Sequence, residues 1–414
     1  MREQSQAQVY VGLDIGTQTV RCVVGIQDQH DPGRLSVIGH GSAPNNGMRK
    51  GVVIHVDDVA ESVIQAVGEA ERLSGMQIRG VTVNVNGTHV MGMDSRGVVA
   101  VSSPDREIGP EERMRVEEAA TIVQLPANRE ILQVFAKNYR LDGQDNIKDP
   151  IGMHGVRLEV DTHIVTAVVP NLRSLDMVLE RAHLTPQHRT VSSLAAAEAV
   201  LSRQQKEAGT LLLDIGAGTT NMVVVEDGEV QHVAVIPVGG IHITNDLAIG
   251  LKTDLDIAEK VKIEHATLSE PKRGIKMIKV EHDNRSHLFE VEEVMMITEA
   301  RVEELLELVD KELKRIHRSR KLPGGVVLSG GTAKLPGLAD FVKQKLELAA
   351  RVGHMREVGG LIDTVDDPGY FTAVGLMMLD MLLMPPSPKN HHAGKPNIKV
   401  FNLVDDLWRR LRAN

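Results

Sequence analysis

Apolar residues fall into a pattern that repeats half a chain apart. Val11 and Leu13 lead into Asp14-Ile15-Gly16-Thr17-Gln18-Thr19, and a run from Val20 to Val24 follows. The same order returns at Leu212-Leu213-Asp214-Ile215-Gly216-Ala217-Gly218-Thr219-Thr220, ahead of Met222 to Val225. Each segment predicts a buried strand, a tight turn and a returning β-branched partner, so each hairpin presents one carboxylate at its turn. A third apolar strand, Gly325 to Leu328, runs into Ser329-Gly330-Gly331-Thr332 and then into the amphipathic stretch Leu338 to Leu348, which predicts strand, glycine turn and helix. A longer amphipathic stretch, Ile297 to Arg318, is Glu-rich early and basic late, as a helix dipole favours, and predicts a helix with one face buried.

After Met384 this patterning stops. Pro385 to Pro396 holds no core-forming residue and reads as a solvated linker, and its pair His391-His392 has no companion at metal-ligand spacing. Beyond it, Val400, Phe401, Leu403, Val404, Leu407, Trp408 and Leu411 fall within about 160° of a helical wheel, with Asn402, Asp405, Asp406, Arg409, Arg410 and Arg412 filling the rest. Such a helix either docks its apolar face on protein or lies in a membrane surface. The linker argues against close docking, and Trp408 beside Arg409, Arg410 and Arg412 suits an interfacial helix. Lys399 and those three arginines against Asp405 and Asp406 leave a surplus of two charges, so one helix binds lipid weakly while an array held by a polymer binds jointly.

Composition narrows the picture. A chain of 414 residues with 42% hydrophobic content predicts two or more domains. Lys and Arg total 47 against 56 Asp and Glu, and a formal charge of −9 gives no long-range attraction for nucleic acid or an acidic membrane. The single cysteine, Cys22, lies in an apolar run, which rules out an intramolecular disulfide and fits a reducing cytoplasm. The N-terminus has no apolar stretch of signal-peptide length, and nowhere do about 18 uncharged apolar residues run together.

The turns carry the candidate chemistry. Glycine at Gly16, Gly216 and Gly218 permits positive φ and close approach of backbone N–H groups to a phosphate, and Thr17, Thr219 and Thr220 add hydroxyl donors. A carboxylate facing a polyphosphate requires a cation between them, which assigns Asp14 and Asp214 to Mg²⁺, held through water. Gly330-Gly331 is placed to lie against a base or an α-phosphate. Glu259 and Lys262 stand three apart on one helix face, as a ribose contact or as an exposed ion pair.

In this order the segments resemble the phosphate-1, phosphate-2 and adenosine motifs shared by actin, sugar kinases and heat-shock chaperones. The resemblance implies an α/β, actin-like (ribonuclease H-like) two-lobed fold with ATP and Mg²⁺ in the interlobe cleft. It places Asp14, Gly16, Thr17, Gln18, Asp214, Gly216, Gly218, Thr219 and Thr220 around the phosphates, with Gly239 and Gly240 near them. Glu259 and Lys262 then fall at the ribose, and Gly330, Gly331 and Thr332 at the adenosine.

Other stretches are similar to the FtsA family of bacterial cell-division proteins: Gly47-Met-Arg-Lys50-Gly51-Val-Val, Tyr139-Arg-Leu-Asp142-Gly143, Asp149-Pro150-Ile-Gly152-Met-His-Gly155-Val-Arg157, and Asp367-Pro-Gly-Tyr370-Phe-Thr-Ala-Val-Gly375-Leu, whose small residues allow close helix packing. This second resemblance implies subdomains over 8–82 with 166–207, 83–165 (the family's own small subdomain), 208–243 with 322–384, and 244–321, then a linker over 385–397 and a membrane-targeting helix over 398–414. It further implies self-polymerisation on the inner face of the cytoplasmic membrane at the division site, and binding of the C-terminal peptide of the tubulin-like ring protein FtsZ by 244–321. One departure bears on catalysis: where chaperones and bacterial actins carry a water-orienting Glu-Pro before a small-residue helix, this chain has Ser192-Ser193-Leu194-Ala-Ala-Ala197-Glu198. A serine is a poor general base, and Glu198 should lie on another face about 9 Å along the helix, so tight ATP binding with weak ATPase activity at most is expected. A pilus-assembly scaffold of the PilM type and an actin-fold small-molecule kinase are the alternatives.

Overall fold

The structure is a computed structural model and describes residues 8–27, 35–270, 276–356 and 358–383. The linker and the amphipathic segment Val400 to Arg412 lie outside the described residues.

Two sheets repeat one plan. The first has six strands in the order Thr185–Val191, Gly80–Val85, Val9–Ile15, Thr19–Gln27, Leu35–Pro44, Val358–Gly360. The second has five, in the order Glu229–Ile236, Thr220–Glu226, Thr210–Ile215, Gly325–Ser329, Ala350–Val352. In each, the strand ending in the motif aspartate pairs antiparallel with its hairpin partner and parallel with a later strand. Even the register matches: Asp14 stands opposite Arg21, and Asp214 opposite Asn221. Such strands are covered on both faces, which is why Thr210–Ile215 is buried throughout and carries the apolar run Leu211-Leu212-Leu213.

A four-stranded sheet, in the order Met91–Ala100, Arg157–Val168, Arg129–Leu141, Gln144–Ile147, is inserted into the first half and packs helix Pro110–Ala120 over its own small core of Ile108, Val116, Leu158 and Val160. Helices Gly240–Gly250, Leu255–His265 and Val291–Arg315, with the ribbon Met277–His282/Arg285–Glu290, flank the second half. Positions 83, 165 and 244 lie inside strand Gly80–Val85, strand Arg157–Val168 and helix Gly240–Gly250.

The chain passes between the halves after helix Ser192–Val200 and returns after strand Ala350–Val352. These crossings lie side by side: the Arg356 amide donates to the Ala199 carbonyl at 3.3 Å. Helix Phe371–Leu383 packs on helix Ser192–Val200, and Gly375 makes this possible, since a Cβ there would lie 1.7 Å from the Ala195 carbonyl oxygen. The small residues of the 367–376 segment therefore do serve close helix packing. A helix this apolar on all sides must be buried. Its one acid, Asp380, is satisfied by the Thr82 hydroxyl at 2.6 Å and the Val11 amide at 3.0 Å.

Element bounds differ from the sequence expectation in three places. The long helix covers Val291–Arg315, because Val294 extends its buried face backwards and the chain turns at His317 with φ 59°. The later amphipathic helix stops at Leu346, where Glu347 adopts φ 51°. The glycine pair opens a short 3₁₀ turn, Gly331–Lys334, and not the helix itself; Pro336 holds Leu335 extended and delays the helix to Leu338.

Candidate functional site

The turns of both hairpins open into one cleft of about 390 Å³ between the two large sheets. Asp14, Gly16, Thr17 and Gln18 line it from the first half, and Asp214, Gly216, Thr219, Gly240, Glu259, Lys262, Gly330, Gly331 and Thr332 from the second. Gly218, Thr220 and Gly239 do not. The Thr220 hydroxyl is buried and donates to the Val238 carbonyl at 2.8 Å, so it is a structural bond and not a free donor. A Cβ on Gly218 would lie 2.9 Å from Thr17 Oγ1, so this glycine lets the two hairpins touch. A Cβ on Gly239 would lie 2.6 Å from the Gly216 carbonyl oxygen, and the neighbouring Gly240 and Ile241 amides donate to the Gly216 and Ala217 carbonyls. That helix N-terminus is thus used to brace the second hairpin.

Gly16, Gly216 and Gly218 are not in the positive-φ region, contrary to the sequence expectation. Space explains Gly16, where a Cβ would lie 2.7 Å from the Thr19 carbonyl oxygen that its own amide bonds. Gly330 is different: its φ of 85° turns its amide to the Pro368 carbonyl at 2.9 Å, while Gly331 beside it has nothing within 4 Å of a built Cβ and offers a bare backbone face.

The two aspartates are buried carboxyls whose partners are mostly neutral. Asn84 Nδ2 donates to Asp14 at 2.7 Å and Asn221 Nδ2 to Asp214 at 3.4 Å, with the Thr372 hydroxyl at 3.5 Å. Burial pushes Asp14 up to about 7, against the pull of Arg21 and helped by the charge of Asp214. Burial likewise pushes Asp214 up to about 6, opposed by its hydrogen bonds from Asn221 and Thr372 and by Arg21. Among the described residues no three His, Cys, Asp or Glu side chains cluster as a metal cage. Two carboxylates with water or phosphate completing the shell are nevertheless what Mg²⁺ takes, so the donor set fits the ion.

Glu259 and Lys262 share a helix face and pair at 2.6 Å. They are not an exposed pair: Lys262 Nζ also donates to Thr244 Oγ1 at 2.9 Å and to the Gly240 carbonyl at 3.3 Å, and the Thr244 hydroxyl donates to Glu259. Within the first half, Thr17 Oγ1 accepts from the Gly51 amide at 3.2 Å; across the cleft, the Thr219 hydroxyl donates to Asn86 Oδ1 at 3.2 Å, a bond between the halves.

Ser192 sits in the cleft wall and its hydroxyl accepts from Asn84 at 3.0 Å. Glu198 is paired with Lys206 at 2.7 Å, both buried, and is absent from the lining. Sequence reasoning missed Arg21, Asn86, Asn221 and Thr372 as lining residues. The hairpin register held the signal, because Arg21 and Asn221 each follow their aspartate by seven residues and so face it across the pair.

The model of the cell division protein FtsA family matches residues 211–375, and that of the SHS2 domain inserted in FtsA matches residues 87–166, the inserted sheet. The chain is similar to cell division protein FtsA of Pseudomonas aeruginosa, 34% identical with 97% of each chain covered, and to that of Bacillus subtilis, 39% identical over 89% of this chain and 83% of its relative. Among solved structures it resembles a PilM–PilN type IV pilus biogenesis complex, TM-score 0.65 at 18% identity over 90% of this chain and 98% of that one. It also resembles MreB5 of Spiroplasma citri bound to ADP, TM-score 0.54 at 12% identity over 89% and 94%. Those likenesses establish a mixed α/β actin-like fold, whereas identity along nearly the whole length establishes kinship: the chain belongs to the FtsA family of cell-division proteins.

Proposed function

We propose that the cleft binds ATP with Mg²⁺, and that the protein polymerises on the inner face of the cytoplasmic membrane, tethers the FtsZ ring there and recruits later division proteins. One observation carries the nucleotide reading: two hairpins of the same design, from separate sheets, bring Asp14 and Asp214 into one cleft that Arg21 also lines. Bound Mg²⁺ would supply the positive charge that allows both buried carboxyls to ionise. Arg21 and the hydroxyl of Thr17 face where phosphates would lie, with Thr219 bonded to Asn86 behind them, Lys262 and Glu259 where a ribose would, and the bare backbone of Gly331 where a base would stack. The ADP-bound MreB5 relative supports a nucleotide in this fold.

Ser192 supports weak ATPase activity. It lies where a water-orienting carboxylate would be needed, and its hydroxyl is already engaged by Asn84. Positioning and base catalysis supply about 10²- to 10⁴-fold, so nucleotide serves mainly as a conformational ligand. The region 244–321 is the proposed seat of the FtsZ peptide, and residues 398–414 the membrane-targeting helix. Among the described residues no helix is long and apolar enough to cross a membrane, so attachment rests on that terminal segment. The subdomain division over 8–82 with 166–207, 83–165, 208–243 with 322–384 and 244–321 remains part of this proposal.

Calorimetry on the full chain tests the core. Mg-ATP should bind, Asp214→Asn should weaken it by at least about tenfold, and EDTA should do the same in the unsubstituted protein. No heat with Mg-ATP would overturn the reading. So would turnover at about 1 to 100 per second, the range of protein kinases, for the claim of slow hydrolysis.

A further inference from the structure

The inserted sheet belongs covalently to the first half: the chain enters it from Gly80–Val85 and leaves it into helix Val169–Arg181. Its central strand Arg157–Val168 nevertheless reaches the second half. His163 on that strand is 1% exposed, and its Nε2 accepts the Val233 backbone N–H at 3.0 Å. Val233 lies on Glu229–Ile236, the edge strand of the second large sheet. Edge strands leave outward N–H groups without a ladder partner, and here a side chain from the other half takes one of them.

The surroundings fix the histidine for this task. A ring nitrogen that accepts an N–H carries no proton, so the proton sits on Nδ1, which donates to Asp94 at 2.7 Å. Asp94 is in turn held by Lys137 at 3.3 Å. Gly92, on the adjoining strand, leaves the room required: a Cβ there would lie 2.4 Å from both His163 Nε2 and the Val233 carbonyl oxygen. From the second half, the His232 ring meets His163 edge to face at 5.2 Å, and His232 Nε2 is 3.1 Å from Glu312 of the long helix, which Arg315 also pairs at 2.9 Å. Lys148 makes a further link to Glu207 at 3.4 Å, but both are exposed and such pairs contribute little.

We propose that His163 is a latch that fastens the inserted sheet to the second half, so that the sheet follows the half to which it is not covalently joined whenever the cleft opens or closes. An interface of this kind is bistable: the bond to Val233 either holds and carries the sheet along, or breaks and leaves a buried acceptor unpaired. The latch converts a rotation of the halves into a displacement of the inserted sheet relative to the sheet from which it springs. This goes beyond the nucleotide reading and does not depend on which ligand closes the cleft.

The test is a distance measurement between nitroxides on the full chain, at Ile122→Cys on the inserted unit and Ile249→Cys on the second half, both highly exposed. Cys22 is buried and stays in place. Three versions are compared: His163, His163→Gln, whose amide oxygen reaches the Nε2 position, and His163→Asn, which is too short to reach Val233 but long enough for Asp94. A narrow distribution for His163 and Gln with a broad one for Asn supports the latch. Equal widths in all three, or Gln as broad as Asn, overturn it. Amide hydrogen exchange across 229–236 gives an independent readout in folded protein: the Val233 amide should exchange about tenfold faster in the Asn variant than in the Gln variant. Equal rates would also overturn the proposal.

Discussion

At Asp14 and Asp214 the cost of burial and the use of burial are the same thing. Because both carboxyls are pushed above their ordinary value, to about 7 and about 6, the folded protein holds their protons more tightly than the unfolded chain does. That contribution to stability is complete below the ordinary carboxyl range, near about 4, and is lost as pH rises through 6 to 7. Asn mimics the protonated form, so Asp14→Asn should raise the melting temperature of nucleotide-free protein at pH 8, raise it by much less near pH 4.5, and forfeit the gain that Mg-ATP gives the parent; thermal scans at the two pH values check all three. Both aspartates were legible in the sequence because each sits at a strand end before a glycine turn. Arg21 was missed, since its seven-residue spacing from Asp14 gains meaning only once the hairpin register is known. Thr220 looked like a donor for the same reason in reverse, as only the fold shows that Val238 has already taken its hydroxyl.

Among the elements, helix Phe371–Leu383 depends most on one position. With a Cβ at 375 only 1.7 Å from the Ala195 carbonyl, even alanine would force the helix off helix Ser192–Val200. Gly375→Ala should cost about 1 to 3 kcal/mol or more, read as a lower denaturation midpoint with unchanged slope. An unshifted midpoint would show that the two helices separate without penalty. Strands and hairpins were readable as elements, because apolar runs ended by Asp and Gly have few other solutions. The 3₁₀ turn at Gly331–Lys334 was not, since its length is set by Pro336 and by the Gly330 bond to Pro368, a residue 38 positions away. Helix ends at Arg315 and Leu346 shifted by two or three residues for a similar reason: left-handed residues His317 and Glu347 stop them, and neither is a glycine to announce it.

On the scale of the molecule, the repeat of the two motifs foretold two related halves, and the motif stretches at 139–157 marked the inserted unit by resemblance alone. The order of strands and the contact between inserted sheet and second half had no sequence signature, because they arise from tertiary packing. Attachment to lipid belongs to this scale as well: deleting Val400 to Asn414 should abolish co-sedimentation with liposomes while ATP affinity stays the same, and retained sedimentation would sink the proposed anchor. The side-by-side crossings near Ala199 and Arg356 work like the rivet of a pair of pliers. A single rivet leaves two jaws one easy way to swing, so whatever grips the jaws on one side of it sets the angle between the handles on the other.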